Sequence, residues 1–524
     1  MDGMRHILAL LLVFALGAHT LPAHAQAPAT GQAPATIQVQ SQIVLLDVTV
    51  TDAQGKPVTD LRQDEFRITE SKVPQTVVSF EPPSAHRMPA TAEAGNPIVN
   101  STADLAKIGE APVTLLVLDE LNTGFFDRDF ARTRTIAWLK RQPAVLPQPT
   151  ALLAINDRNL HLLRDYTQDR AALLDVLNKH TGDVQWRQEG NADSSSTQEN
   201  MSAVLAALEE LAQATRGILG RKNILWVGIG FPSVAISDLN RTDADAVNVN
   251  LRYLVDLMMQ ARVTLSVIGP GLSASETNLF NSTLGSGGTQ TQADQTQTDT
   301  NMSALDNGSG VLKFAQLATS SGGHNYAARN DIDAEIGRSV DEGANYYTLS
   351  YRPTDHSGDP RVYRRILVTV TRPGLSVQTR DGYYRQQQQQ NLSAKDSTRQ
   401  VAFDLNNAAV STIAFTDLHV AAERAGPGQF TLHATARDLG WHDLPDGRRH
   451  ADIVLMAACL NVNGKLLSKT VATLGSNTDA TLASINLSAA ALPMHVVPPP
   501  GTARIRFVVR DMVSGRVGTA DIKP

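Results

Sequence analysis

Apolar and polar positions divide the chain into two kinds of pattern. IVLLDVTVTD reads as a long strand, DAQGKP as a turn, and EFRITE and TVVSFE as further strands that end at Pro82-Pro83. From Pro112 the pattern becomes strand then helix, repeated. VTLLVL (113–118) is a continuous apolar run, as in a strand buried on both faces. A helix follows over FDRDFARTRTIAWLKRQ, with Asp127 as its expected N-cap, and TALLAIN and NLHLLRDY read as strands. Thr167 is placed to cap a helix through AALLDVLNKH, and Ser196 with Glu199 has capping-box spacing. In the helix so opened, Val204, Leu205, Leu208 and Leu211 share one face. NILWVGIG and VTLSVIG are strands, LRYLVDLMMQAR, VLKFAQLATSSGG and DIDAEIGRSV helices. The chain then turns β again through NYYTLSYRP, RVYRRILVTVTR and LSVQTR, and FTLHATAR, ADIVLMAACLNV and RIRFVVRD are the clearest late strands.

This pattern predicts a domain order. Residues 1–25 form a signal peptide, 26–37 a flexible leader, 38–82 the first part of a β-sandwich domain, and 83–111 a linker. Residues 112–343 form an α/β domain interrupted by a polar, disordered loop at 270–310, and 344–385 the second part of the sandwich. A Gln-rich linker (386–400) leads to a C-terminal β-rich domain at 401–524. Three strands make a poor core and six or seven a normal one, so 41–80 and 345–384 are expected to pair as one Ig-like sandwich.

Composition changes this picture little. The 524 residues carry a net charge of −6, with no basic footprint to suggest nucleic acid. Arg5, the apolar ILALLLVFALGA and the small residues of Ala23-His24-Ala25 have the form of a signal cleaved after Ala25. That implies export, to the periplasm or beyond, with no integral membrane segment after cleavage. The lone Cys459 cannot form a disulfide within the chain and reads as a buried small hydrophobe.

Several segments in order carry a resemblance: the strand end LVLDELNT, GRKNILWVGIGFP, the helix–SGG step, YYTLSYRP…RILVTVTRPGLSVQTRDGYY, and VTDLRQDEFRITESKVPQTVVSFEP upstream. Over roughly residues 38–385 the chain resembles von Willebrand factor A-related (VWFA) proteins of the acidobacterial type. The resemblance implies an α/β Rossmann-like domain, mostly parallel with helices on both faces, inserted in the β-sandwich. It also implies binding of another protein, in such families often through Mg²⁺ at a metal-ion-dependent adhesion site of the form Asp-x-Ser-x-Ser, completed by a Thr and a later Asp.

Against that motif the match is partial. Asp119 stands at the first acid position and Thr123 replaces the second serine, but Leu121 occupies the first serine position and cannot ligate. Thr197 is the candidate second-loop threonine, and WVGIGFPS lacks the later Asp. Two readings of Asp119 stand side by side: a carboxylate that caps its loop through backbone amides, or part of an atypical Mg²⁺ site in which Asn122 adds an amide oxygen. Asp119, Asn122 and Thr123 are therefore the candidate binding face, with the loops after Leu118, Asn156, Gly228 and Gly269 around them. No metal ligand set is complete, and no cofactor is implied beyond that Mg²⁺.

Other patterns point to no enzyme. Gly228-Ile229-Gly230 lacks the third glycine of a dinucleotide loop and reads as tight backbone turning, and there is no GxxxxGK[ST], GxSxG or HExxH. RVYRR reads as the solvated face of a strand. The expected function is an exported, non-enzymatic, adhesion-type binding protein with a degenerate ion site. The alternatives are a periplasmic hydrolase with an unrecognised site and a purely structural envelope component.

Overall fold

The computed structural model describes residues 43–89, 98–180, 194–235, 241–270, 311–354, 362–384, 394–478 and 489–524. The expected signal peptide, the expected leader and, apart from Pro270, the expected loop at 270–310 lie outside them.

The apolar run at 113–118 becomes strand Val113–Asp119, buried along its whole length. It sits inside a six-stranded sheet ordered Asn325–Arg329, Val263–Pro270, Lys222–Val227, Val113–Asp119, Val145–Asn156, Asn159–Asp169. Because side chains alternate across a strand, Leu115 and Val117 enter one core and Leu116 and Leu118 the other. The first core takes Val204, Leu208 and Leu211 of helix Ser194–Thr215 and Leu251 and Leu254 of helix Arg241–Gln260. The second takes Trp138 and Leu139 of helix Phe125–Arg141, Leu173 of helix Arg170–Lys179, and Ile336 of helix Ile332–Ala344.

The expected class, an α/β Rossmann-like VWFA domain in an Ig-like β-sandwich with a C-terminal β-rich domain, is corrected here. Strand outweighs helix, most strands lie in small antiparallel sheets, and the six-stranded sheet is mixed. Five of its strands run parallel, but Asn159–Asp169 runs antiparallel to Val145–Asn156. The link between those two is Asp157-Arg158, both at positive φ. Two residues can close a hairpin but cannot make the crossover that a parallel neighbour needs. A continuous apolar run reports burial on both faces and says nothing of strand direction.

Segments 44–81 and 347–384 pair with each other. Val44–Thr51 lies between Tyr347–Tyr351 and Ser376–Gln378, with Val77–Glu81 beyond Tyr347–Tyr351. Phe66–Glu70 lies between Val73–Gln75 and Tyr363–Val370, with Gly382–Tyr384 beyond the latter. The two sheets share a core of Leu46, Val48, Phe66, Tyr347, Leu349 and Tyr383. Within it Arg364, expected on a solvated face, is buried and donates to Glu70 Oε1 at 2.8 Å. The hydroxyls of Tyr351 and Tyr383 donate to Glu70 Oε2 at 2.7 and 3.1 Å, so this buried acid is fully partnered.

The C-terminal part starts with helix Ala394–Val410, where a linker and strands were expected. Leu405, Ala408 and Ala409 on that helix are buried in the core that also holds Leu115 and Leu208. Beyond it, Gln429–Thr435 lies between Val420–Gly426 and Ala489–His495, and Arg449–Leu460 lies between Leu466–Thr478 and Arg504–Asp511. Cys459 is buried among them. Among the described residues, no helix is long and apolar enough to cross a membrane.

Candidate functional site

Asp119 ends its strand at the edge of the core and is 1% exposed. Burial pushes its pKa up, and the amides of Asn122 and Gly230 pull it back toward the charged form. Three backbone amides donate to the carboxylate. Leu121 N and Asn122 N donate to Oδ1 at 3.2 and 2.9 Å, and Gly230 N donates to Oδ2 at 2.8 Å. The Trp226 indole and the Thr123 hydroxyl also favour the charged carboxylate, and Thr123 Oγ1 accepts from Ile229 N at 3.1 Å.

The Gly230 amide arrives from a loop 111 positions away, and its glycines explain how. Gly228 has φ +146°, and a Cβ on it would stand 2.3 Å from Asp119 Cβ and 2.4 Å from Thr123 Oγ1. Gly230 has φ +75°, and its Cβ would strike the Phe314 ring. Only glycine lets the backbone come this close to the acid. The expected tight turning at Gly228-Ile229-Gly230 thus closes the loop over Asp119.

Asn122 completes the arrangement. Its Nδ2 donates to Gly230 O, and its Oδ1 accepts from Asn200 Nδ2 at 3.0 Å. Asn200 lies on helix Ser194–Thr215, one turn after Thr197. The structure therefore brings Asp119, Asn122 and Thr123 together, as the sequence suggests. Leu121 packs against the core, and no oxygen replaces the missing serine at its position.

This donor set does not fit Mg²⁺. A carboxylate offers about four lone-pair positions, and three backbone N–H donors already occupy most of them. The Asn122 oxygen, the one extra ligand an atypical site would need, is turned toward Asn200. An ion would have to displace amide donors to gain more than one carboxylate position.

Beside Asp119, Glu120 faces the next loop. Its carboxylate meets His180 Nε2 and accepts from Asn156 Nδ2 at 3.2 Å. Burial raises its pKa, but the His180 hydrogen bond and charge outweigh that and hold the carboxyl below its ordinary value. The sequence reading missed this pair, because His180 lies 60 positions away with no motif to mark it.

It also missed the rim. Helix Phe125–Arg141 begins two residues before the expected Asp127 cap, with Gly124 at its N-cap and Asp127 buried in the first turn. That start places two phenylalanines directly after the Asp119 loop, in the first turn of the helix. Phe125 is 52% exposed and Phe126 is 77% exposed. Their rings meet edge-on at 5.6 Å, and the Arg128 guanidinium sits 5.9 Å from the Phe125 centroid. Ile229, tied to Thr123 through its amide, is also exposed.

No family model and no curated protein matches the chain. Among solved structures, one neighbour is a glycosyl hydrolase family 2 member from Bacteroides cellulosilyticus. It is 8% identical, over 34% of this chain and 20% of that one, with a TM-score of 0.12. A likeness that low carries no argument about fold or chemistry.

Proposed function

We propose that the chain is an exported, non-enzymatic protein-binding protein whose contact face is the loop cluster around Asp119. The observation that carries the reading is the exposed Phe125–Phe126 pair on a rigid base. Exposed phenylalanines cost solubility, and aromatic side chains are enriched at the centres of protein interfaces. The base beneath them is held by Asp119, Asn122, Thr123 and the Gly228–Gly230 turn, so little entropy is lost when a partner docks. In this reading the adhesion-type ion site is degenerate, and Asp119 does with backbone amides what an ion would do elsewhere. The resemblance to VWFA-related proteins at VLDELNT supports a binding role, and the signal-like start supports export. The acidic balance favours a protein partner over nucleic acid.

The test is comparative capture from an extract of the producing cells and their medium. Phe126→Asp should lose a partner that the unchanged protein retains. Val462→Asp, at an 84%-exposed residue of a turn in the C-terminal part, should keep it. Equal capture by all three proteins would reject the face.

A further inference from the structure

A second cluster lies away from the Asp119 loop, where the small sheets meet the lead-in to the central strand. Glu81 closes strand Val77–Glu81, His86 ends the 3-10 turn Pro83–His86, and Glu110 stands just before Val113. One ligand atom from each residue lies within 4.8 Å of the other two.

The chemistry of His86 gives the cluster its meaning. The side chain is fully buried, and its ring stacks on Tyr346 at 4.3 Å with a 7° tilt. Nε2 lies 3.1 Å from Thr348 Oγ1. Thr348 has one hydroxyl proton, which goes to Asp47 Oδ1 at 3.1 Å, while its oxygen also accepts from Arg262 at 2.9 Å. Nε2 must therefore be the protonated nitrogen and donate to Thr348. Nδ1 is left with a bare lone pair, buried and without a hydrogen-bond partner. It stands 3.9 Å from Glu110 Oε2, whereas Glu81 Oε2 lies 3.7 Å from Nε2 and must swing across to reach the Nδ1 side. A neutral imidazole held by a hydrogen bond through one nitrogen, with the other nitrogen open, is the state in which histidine binds metals.

The surrounding charges agree. Arg262 comes within 3.9 Å of Glu110, but it is already engaged by Asp47 through Nε at 3.2 Å and a second nitrogen at 2.7 Å. Glu81 and Glu110 thus lie close together, and the cation nearest them, Arg262, is shared with Asp47. Burial and the Glu110 charge push the Glu81 carboxyl up, and burial and Arg262 push the His86 imidazole down.

We propose that Glu81, His86 and Glu110 bind one divalent first-row transition ion of the Zn²⁺ type, through Nδ1 and two carboxylates, with water completing the shell. Metal–ligand bonds near 2.0–2.2 Å put tetrahedral donors about 3.3 Å apart, somewhat closer than they stand here. His86 is fixed and both glutamates are nearly half exposed, so the carboxylates can swing inward. The bound ion would staple the small sheet carrying Glu81 to the segment that feeds the central strand.

The test uses the full chain, freed of metal with a chelator, then titrated with Zn²⁺ by calorimetry and followed by melting. One Zn²⁺ should bind and raise the melting temperature, and Mg²⁺ at the same concentration should not. The Glu81→Gln/Glu110→Gln double variant should weaken Zn²⁺ at least tenfold while melting in chelator as the unchanged protein does. His86→Gln should remove the site. His450→Ala, at the His442–His450 pair in the C-terminal part, should leave affinity unchanged. No Zn²⁺-dependent rise in the unchanged protein would overturn the proposal. So would unaltered affinity in the double variant, or loss of binding in His450→Ala.

Discussion

Asp119→Ala is the sharpest perturbation of the loop. It removes the acceptor of Leu121 N, Asn122 N and Gly230 N at once. A buried donor left unpaired costs roughly 1–3 kcal/mol. The Gly230 amide is buried and bears the full cost, whereas those of Leu121 and Asn122 are partly buried and can recruit water. Removing the buried carboxyl returns part of the loss, since burial raises its pKa. The net expectation is about 3–5 kcal/mol of local stability. A chain with this many sheets is unsuited to a single two-state unfolding energy. The assay is therefore native-state amide exchange at Asn122 and Gly230, where the loop reports its own opening. Exchange should rise roughly a hundredfold to a few thousandfold, at about 1.4 kcal/mol per tenfold. Asp119→Asn keeps one acceptor oxygen and should fall between. A change under tenfold in Asp119→Ala would refute the loop-organiser account, as would Mg²⁺ slowing exchange in the unchanged protein.

The remaining predictions concern buried charge. Asp47→Ala leaves the Arg262 guanidinium without its buried partner and should lower stability by about 3–5 kcal/mol, read as a depressed melting temperature. Lys222 is 1% exposed, and burial, helped by the Arg262 charge, holds its pKa down at about 7. Its unfolded value is 10.5, so the unfolded chain binds more protons between about pH 7 and 10.5 and stability contributed here rises with pH across that window. Lys222→Met should stabilise most below pH 7, by at most about 5 kcal/mol, with the advantage gone near pH 10.5 in parallel melts. Glu209 runs the other way, because burial and Asp404 push its carboxyl up to about 7 from 4.5. The folded state then holds the extra proton, so stability falls as pH rises from about 4.5 to 7, by at most about 3 kcal/mol before solvent screening. Glu209→Gln should flatten that slope.

Much of the local structure is legible because apolar periodicity reports burial. The run at 113–118 and the spacing of Val204, Leu208 and Leu211 translate directly into a buried strand and a buried helix face. Helix Ala394–Val410 was also readable: Val401, Leu405, Ala408 and Ala409 fall at helical spacing, but the glutamine run before them drew the reading toward a spacer. Strand direction was not readable from burial, and the antiparallel edge at Asn159–Asp169 had to come from the two-residue link. At the site, Asp119, Asn122 and Thr123 were legible as a strand-end loop. Their partners were not, since Gly230 lies 111 positions on and Asn200 lies 78 from Asn122. Arg364 fails for the same reason, as its partner Glu70 is 294 positions away. The Phe125–Phe126 rim was hidden by an N-cap expected at Asp127, three residues after the observed cap Gly124.

The account's central claim is that the amide-held loop presents Phe125 and Phe126 to a protein partner. The most direct test places a photoreactive phenylalanine analogue at position 126 of the full chain, exposed to the same extract before illumination. The account predicts one discrete adduct from position 126, much weakened when Asp119→Ala loosens the loop and absent when the analogue sits at position 462. No adduct at 126, or the same adduct at both positions, would contradict it.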